Sequence, residues 1–145
     1  MTDSVNLDLV RSIYANWERA DYSDVAWADP VLEYVMAGGP DPGVWVGVRG
    51  MNEAFRGMLK AWTDWKVTAD EYIDVDGERI LVAYHFSALG RASELEAGRL
   101  HTQGATLFHL RAGRVTRIVQ YFDRNHALAD LGLTPERDTP SSDEE

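Results

Sequence analysis

The chain has no cysteine in its 145 residues, which excludes disulfide bonds, thiolate metal sites and a cysteine nucleophile. It also lacks the apolar run of roughly 18–20 residues that a membrane-spanning helix needs. Its first ten residues, MTDSVNLDLV, lack the basic start and apolar stretch of a signal peptide. Basic residues are scarce, and the net charge of −10 disfavours nucleic acid or an anionic membrane as a partner. We therefore expect a cytoplasmic protein that has neither nucleic acid nor a membrane as a partner.

The length predicts one domain, which we place at residues 1–133. Residues 134–145, TPERDTPSSDEE, combine Pro, Ser and acidic side chains and are expected to form a disordered tail. The four histidines do not follow a zinc-binding spacing, and no glycine-rich phosphate loop follows a strand. The sequence therefore predicts neither a metal nor a cofactor.

Apolar residues at helical spacing alternate with strand-like runs in the N-terminal half. The predicted elements are a helix with the stripe Val10, Ile13, Tyr14 and Trp17, a short helix over Val25–Asp29, strands over Val31–Ala37 and Val44–Val48, and a helix from Met51 to Trp62. Two of these helices precede most of the strands.

The C-terminal half is dominated by runs of β-branched and aromatic residues. The predicted strands are Lys66–Val75, Arg79–Leu89, Arg99–Leu110 and Val115–Phe122, with turns at Asp76-Gly77 and Ala112-Gly113 and a final helix at His126–Leu131. Helices grouped before a run of strands predict an α+β fold. We expect a curved antiparallel sheet wrapped around the N-terminal helices, forming a cone with an internal pocket.

This element order, with the segments ADPVLEYVMAGGP, VGVRGMNEAFRGML and FHLRAGRVTRIVQYFD, resembles the SnoaL-like, ketosteroid-isomerase-like branch of the nuclear transport factor two-like superfamily. The resemblance covers roughly Val5 to Leu133. It implies a cone that binds a small apolar molecule and a homodimer formed through the outer face of the sheet. Because the fold hosts many chemistries, the resemblance does not select a reaction.

The resemblance also implies positions for catalytic groups. Tyr14 matches the tyrosine on the first helix of ketosteroid isomerases. Their base position falls near Glu33–Val35, most simply on Val35, and their acid position falls on Thr106. The acid/base aspartate of SnoaL-type cyclases corresponds to Gln120. Since a threonine and a glutamine do not exchange protons near neutral pH, these mechanisms do not transfer, and Glu33 becomes the first candidate acid or base.

The candidate catalytic residues are thus Glu33 and Tyr14, and each has a plainer interpretation. Glu33 is flanked by apolar residues, so an inward carboxylate would be desolvated; otherwise it is a solvent-facing or arginine-paired strand residue. Tyr14 either donates a hydrogen bond to a ligand or belongs to the core. Strand alternation, helical spacing and the resemblance predict these ligand-binding residues: Trp17, Val35, Met58, Trp62, Val82, Tyr84, Phe86, His101, Thr106, Phe108, Ile118, Gln120 and Phe122.

The predicted function is binding of a small hydrophobic molecule in the cone. One interpretation adds cofactor-free acid/base chemistry of the isomerase, cyclase, dehydratase or hydrolase type. Glu33 would then move the proton, while Tyr14 and Gln120 orient the substrate. The alternative is a non-catalytic ligand-binding or dimeric scaffold module. A non-catalytic binder requires pocket polar groups that pair with one another and leave no free acid facing the ligand.

Overall fold

The computed structural model describes residues 2–19, 21, 24–38, 42–90 and 99–133. The predicted tail, 134–145, lies outside the described residues. The elements in chain order are α1 (Thr2–Glu18), β1 (Ala28–Ala37), β2 (Gly43–Val46), α2 (Gly47–Ala61), β3 (Trp62–Asp74), β4 (Arg79–Gly90), β5 (Arg99–Arg111), β6 (Arg114–Tyr121) and α3 (Arg124–Asp130).

The six strands form one sheet in the order β2-β1-β6-β5-β4-β3. Neighbouring strands are antiparallel except β1 and β6, which run parallel. The α+β class and the curved sheet are confirmed, but the expectation of a wholly antiparallel sheet is wrong. The parallel pair joins β6, the last strand in sequence, to β1, the first. Because the two strands are so far apart in the chain, no local sequence pattern predicts that they pair or in which direction.

The short helix predicted over Val25–Asp29 is also wrong, because β1 already begins at Ala28. A turn precedes the strand, in which the Asp24 carboxylate accepts the Ala26 N–H at 3.1 Å and the Asp24 carbonyl accepts the indole N–H of Trp27 at 2.8 Å. An aspartate that bonds the backbone two residues on favours a turn over a helix. Likewise, Trp62 begins β3 instead of ending α2.

The sheet has two apolar faces. The inner core lies between the sheet and the helices α1 and α2, and its buried members include Val10, Tyr14, Phe55, Val82 and Phe108. The outer core lies under α3, and its buried members are Leu81, Ala105, Leu107, Val119, Tyr121, Ala127 and Leu128. Strands β1, β3, β4, β5 and β6 therefore contribute residues to two different layers.

Val115 breaks this alternation. Strand parity places it on the outer face with Arg117 and Val119, yet Val115 belongs to the inner core and is fully buried. An irregularity in the β5–β6 pairing between His109 and Leu110 places Leu110 opposite Val115. One extra residue in a strand moves the following side chains to the other face, which is why Val115 departs from simple alternation.

The β5–β6 hairpin turns through the two residues that its sequence predicts. Ala112 has φ of 53° and Gly113 has φ of 78°, so both occupy the left-handed region that a type I′ turn requires. The turn between β3 and β4 is longer than the Asp76-Gly77 pair alone. There the buried Asn6 of α1 donates its amide N–H to the Gly77 carbonyl at 2.6 Å, which fixes α1 against the end of the sheet.

Candidate functional site

A chain of three polar side chains crosses the inner core. The Tyr14 hydroxyl lies 3.2 Å from Oγ1 of Thr106, and that same oxygen donates to Oε1 of Gln120 at 2.7 Å. Helix α1 supplies Tyr14, while the directly paired residues Thr106 and Gln120 come from β5 and β6. The chain therefore links a helix to two neighbouring strands through an otherwise apolar layer.

The donor count determines the direction of this chain. Thr106 has a single hydroxyl hydrogen, which it gives to Gln120, so Tyr14 must donate to Thr106. The Gln120 amide nitrogen then keeps its hydrogens, and it makes no hydrogen bond within the described residues. Gln120 is only partly buried, whereas Tyr14 and Thr106 are buried.

Tyr14 itself is held in an aromatic environment. Its ring centroid lies 5.3 Å from that of Trp17 and 6.3 Å from those of Tyr84 and Phe108. Burial raises the pKa of the Tyr14 phenol well above its usual value, and the neighbouring Tyr84 raises it further. The phenol is therefore neutral at physiological pH and acts as a hydrogen-bond donor, not as a base.

The Tyr84 ring packs over Gly104, beside Tyr14. It pairs with Gly104 on β5, and a Cβ atom at Gly104 would lie 2.6 Å from the Tyr84 hydroxyl oxygen. The glycine is required because only hydrogen fits beneath the ring. Burial raises the pKa of Tyr84 as well. Its hydroxyl has no hydrogen-bond partner among the residues that the structure describes.

Glu33 does not face the inner core. Its side chain is 51% exposed and its Oε1 lies 3.5 Å from Nε of Arg117, on the outer face of the sheet. Leu32 and Tyr34, its neighbours along β1, are the residues that point inward and are buried. Of the two orientations left open for Glu33, the structure therefore shows the solvent-facing, arginine-paired one, because strand alternation at this register directs it towards solvent.

The other predicted ligand-binding residues fall into four groups. The inner core contains Trp17, Val82, Tyr84, Phe108 and Ile118, with Thr106 in the same layer. Val35 packs against the outer core, so its expected place in an internal pocket is wrong for the same alternation reason as Glu33. Phe86 is buried and Phe122 partly buried. The side chains of Met58, Trp62 and His101 lie outside the described residues.

Sequence reasoning missed a polar cluster formed by Asp70, His85 and Arg124. The Asp70 carboxylate binds Nδ1 of His85 at 2.8 Å and Nη2 of Arg124 at 2.7 Å. These residues lie on β3, on β4 and at the start of α3, so no sequence spacing connects them. The only local signal is the alternation along β4, which places His85 on the opposite face from Tyr84, with its side chain 55% exposed.

Within the described part of the chain, no group of three or more His, Asp or Glu residues is placed to hold a metal ion. None of the helices there is long and apolar enough to cross a membrane.

Comparison with known proteins places this geometry in context. The model of the SnoaL-like domain family matches residues 10–118. An NTF2-like protein from Burkholderia thailandensis E264 superposes with a TM-score of 0.71 at 19% identity, covering 92% of this chain and 98% of that one. TerC, crystallised with polyporic acid, gives 0.70 at 19% identity, covering 88% and 97%.

A protein of unknown function with a cystatin-like fold from Xanthomonas campestris gives a TM-score of 0.67 at 15% identity, covering 79% of this chain and 87% of that one. At these identities the likeness shows a shared fold and not a shared activity. No curated protein matches the sequence.

Proposed function

Since the chain belongs to the SnoaL-like domain family, we propose that it binds a small, mainly apolar molecule against the inner core and holds an oxygen atom of that molecule through Gln120. The binding is non-catalytic in this proposal. The observation that carries it is the chain from Tyr14 through Thr106 to Gln120, which ends in an amide N–H without a partner among the described residues.

The polar chain supports a binding role because it is already satisfied internally. Thr106 is fully buried and uses its one hydrogen on Gln120, so neither it nor Tyr14 has a proton to transfer to a ligand. Small-molecule sites commonly combine apolar walls with a few placed polar groups that fix orientation. A ligand carbonyl that accepts a hydrogen bond from the Gln120 amide would bind at the end of this series of hydrogen-bonded side chains.

The described residues do not supply an acid to the inner core. In that part of the chain the buried polar side chains are Asn6 and Thr106, and no Asp or Glu is buried. This matches the requirement for a non-catalytic binder, in which polar groups pair with one another. A catalytic role for Glu33 stays a prediction that its exposed position does not support. Cytoplasmic location also stays a prediction.

A matched pair of ligands tests the role of Gln120. Tetralin and 1-tetralone have the same fused-ring skeleton and differ by the carbonyl oxygen. Tryptophan fluorescence reports binding because Trp17 lies in the inner core. We expect 1-tetralone to bind more tightly than tetralin. Gln120→Leu should weaken 1-tetralone binding by about tenfold, the effect of one hydrogen bond, and leave tetralin binding unchanged.

The control variant is Thr116→Val, which removes a hydroxyl from β6 that bonds the His109 carbonyl and takes no part in the polar chain. It should bind both compounds as the parent protein does. Equal affinities for tetralin and 1-tetralone in the parent protein would refute the proposed orientation by Gln120.

We also propose that the protein forms a homodimer through the outer face of β1 and β2. Val31, Val44 and Val46 are 71%, 60% and 63% exposed. The register places Val46 opposite Glu33 and Val44 opposite Val35, so these valines share one face of the hairpin. Grouped exposed apolar side chains favour a protein partner, and the Glu33–Arg117 pair beside them supplies both signs of charge to a second copy.

Sedimentation velocity tests the dimer. The double variant Val44→Lys/Val46→Lys should sediment as a monomer at concentrations where the parent protein is a dimer. Val5→Lys provides the control, because Val5 is 62% exposed but lies on α1. A parent protein that stays monomeric at high micromolar concentration would contradict the proposal.

A further inference from the structure

A cleft of about 600 Å³, whose lining does not include Tyr14, Thr106 or Gln120, lies between β4, β5 and the start of α3. Its volume falls within the range of roughly 300–1,000 Å³ that is usual for small-molecule sites. The residues that line it are His85, Phe86, Thr102, Gln103, Asp123, Arg124 and Asn125. Most of them carry polar side chains, unlike the inner core.

A β-bulge orients the cluster beside this cleft. On β3, Ala69 pairs with Tyr84 and Glu71 pairs with Ala83, so Asp70 is the extra residue in the strand. Bulges redirect side chains and are frequent beside functional sites. Here the bulge residue carries the carboxylate that reaches both His85 and Arg124.

Arg124 fixes the cluster to the sheet. Its Nη2 donates to the Tyr84 carbonyl at 2.7 Å as well as to Asp70, and its Nε donates to the Gly104 carbonyl at 3.4 Å. The Arg124 side chain is only 20% exposed. Arg124 therefore holds Asp70 in place, and Asp70 in turn orients the imidazole of His85.

The hydrogen bond between His85 and Asp70 determines which nitrogen of the imidazole ring carries the hydrogen and which is left as an acceptor. A carboxylate only accepts hydrogen bonds, so Nδ1 of His85 carries the hydrogen that Asp70 accepts. In the neutral ring the lone pair then lies on Nε2, which has no partner in the described part of the chain. The Asp70–His85 pair thus presents a hydrogen-bond acceptor at a fixed position.

We propose that this cleft is a second binding site, for an uncharged molecule that donates a hydroxyl hydrogen to Nε2 of His85. The carboxamides of Gln103 and Asn125 add donors and acceptors, and within the described residues neither has a partner. An anion is disfavoured because Asp70 already neutralises Arg124 and Asp123 adds a second carboxylate to the wall. Aliphatic and phenolic hydroxyl groups share the required chemistry.

Nitrogen-15 NMR of the histidine rings in the full-length protein tests this site, with D-glucose, catechol and benzoate as separate probes. We expect D-glucose or catechol to shift the His85 Nε2 signal and the backbone amides of Gln103 and Asn125 in a saturable manner. The arm that responds identifies the source of the hydroxyl group. Benzoate should leave these signals unchanged.

His85→Phe keeps a planar ring but removes the acceptor, and it should weaken binding of the responding probe about tenfold, followed by the amide shifts. The position is 55% exposed, so the fold should tolerate the change. His126→Phe is the matched control, because the His126 ring faces Asp130 at 3.6 Å and does not line the cleft. Gln103→Leu is a second exposed variant expected to weaken binding.

Three results would overturn the proposal. The first is that neither D-glucose nor catechol shifts the cleft signals at millimolar concentration. The second is that benzoate binds more tightly than both. The third is that His85→Phe and Gln103→Leu bind the responding probe as well as the parent protein does.

Discussion

Replacement of Thr106 by valine tests whether the hydrogen bonds that join Tyr14, Thr106 and Gln120 stabilise the fold together, as their short distances indicate. Valine has nearly the shape of threonine, so the packing of this fully buried position is kept while the hydroxyl is lost. Tyr14 then loses its acceptor, 3.2 Å away, and Gln120 loses its donor, 2.7 Å away. The substitution therefore removes two hydrogen bonds with little change in volume.

The expected cost comes mainly from Tyr14. Leaving a buried hydroxyl without a partner costs about 1–3 kcal/mol, and the Tyr14 hydroxyl lies in an apolar, aromatic environment. Gln120 is partly exposed and is able to bond water instead. We therefore expect Thr106→Val to lower the free energy of unfolding by about 1–3 kcal/mol. Tyr14→Phe removes the hydroxyl itself and should cost about 0.5–1.5 kcal/mol.

The double variant separates this explanation from a simple loss of packing. Once Thr106 is valine, Tyr14→Phe removes a hydroxyl that is already unsatisfied, so the second change should cost nothing or restore stability. Urea unfolding of the parent, both single variants and the double variant gives the coupling free energy, provided that the slope with urea stays constant. Additivity of the two effects within about 0.5 kcal/mol would refute the reasoning.

Three further predictions concern pH and backbone strain. Burial raises the pKa of Tyr14 and of Tyr84, so as the pH rises the unfolded chain loses these protons before the folded protein does. The stability that these two phenols contribute should be constant below about pH 10 and fall above it. Urea midpoints from pH 8 to pH 11 check this, and Tyr14→Phe should flatten the fall. Ala112 has φ of 53°, so Ala112→Gly should raise the free energy of unfolding by about 0.5–1 kcal/mol, and a lower melting temperature would contradict this. Gly104→Ala places a Cβ 2.5 Å from a main-chain oxygen of β6 and should cost about 2–3 kcal/mol in urea unfolding. Its control, Gly57→Ala in α2, meets no atom within 4 Å and should be stabilising.

Much of the fold was predictable because its signals are local. The stripe from Val10 to Trp17 marks the buried face of α1, since helical spacing depends only on neighbouring residues. The turn at Ala112-Gly113 is marked by a glycine between two strand-like runs, and the structure places both residues in the left-handed region. The positions of Thr106 and Gln120 in the inner layer follow from regular alternation in the paired strands β5 and β6.

The errors occurred where alternation had an uncertain starting point or was interrupted. Val35 was assigned to the wrong face and the orientation of Glu33 was left open, because a short apolar run does not show which of its residues point inward. Val115 changed face through an irregularity in the strand pairing. The predicted turn helix before β1 failed because the Asp24 side chain stabilises a turn instead.

The sequence by itself determined most of the order of helices and strands, because helical and strand periodicity depend on spacing over a few residues. Its segments also carried the resemblance to the SnoaL-like family. Tertiary structure alone decided which strands pair in parallel, which face each side chain takes, and which polar groups meet. Tyr14 reaches Thr106 across 92 residues of sequence, and Arg124 reaches Asp70 across 54. Such contacts require the folded sheet, since a single bulge or register change separates a buried polar chain from an exposed one.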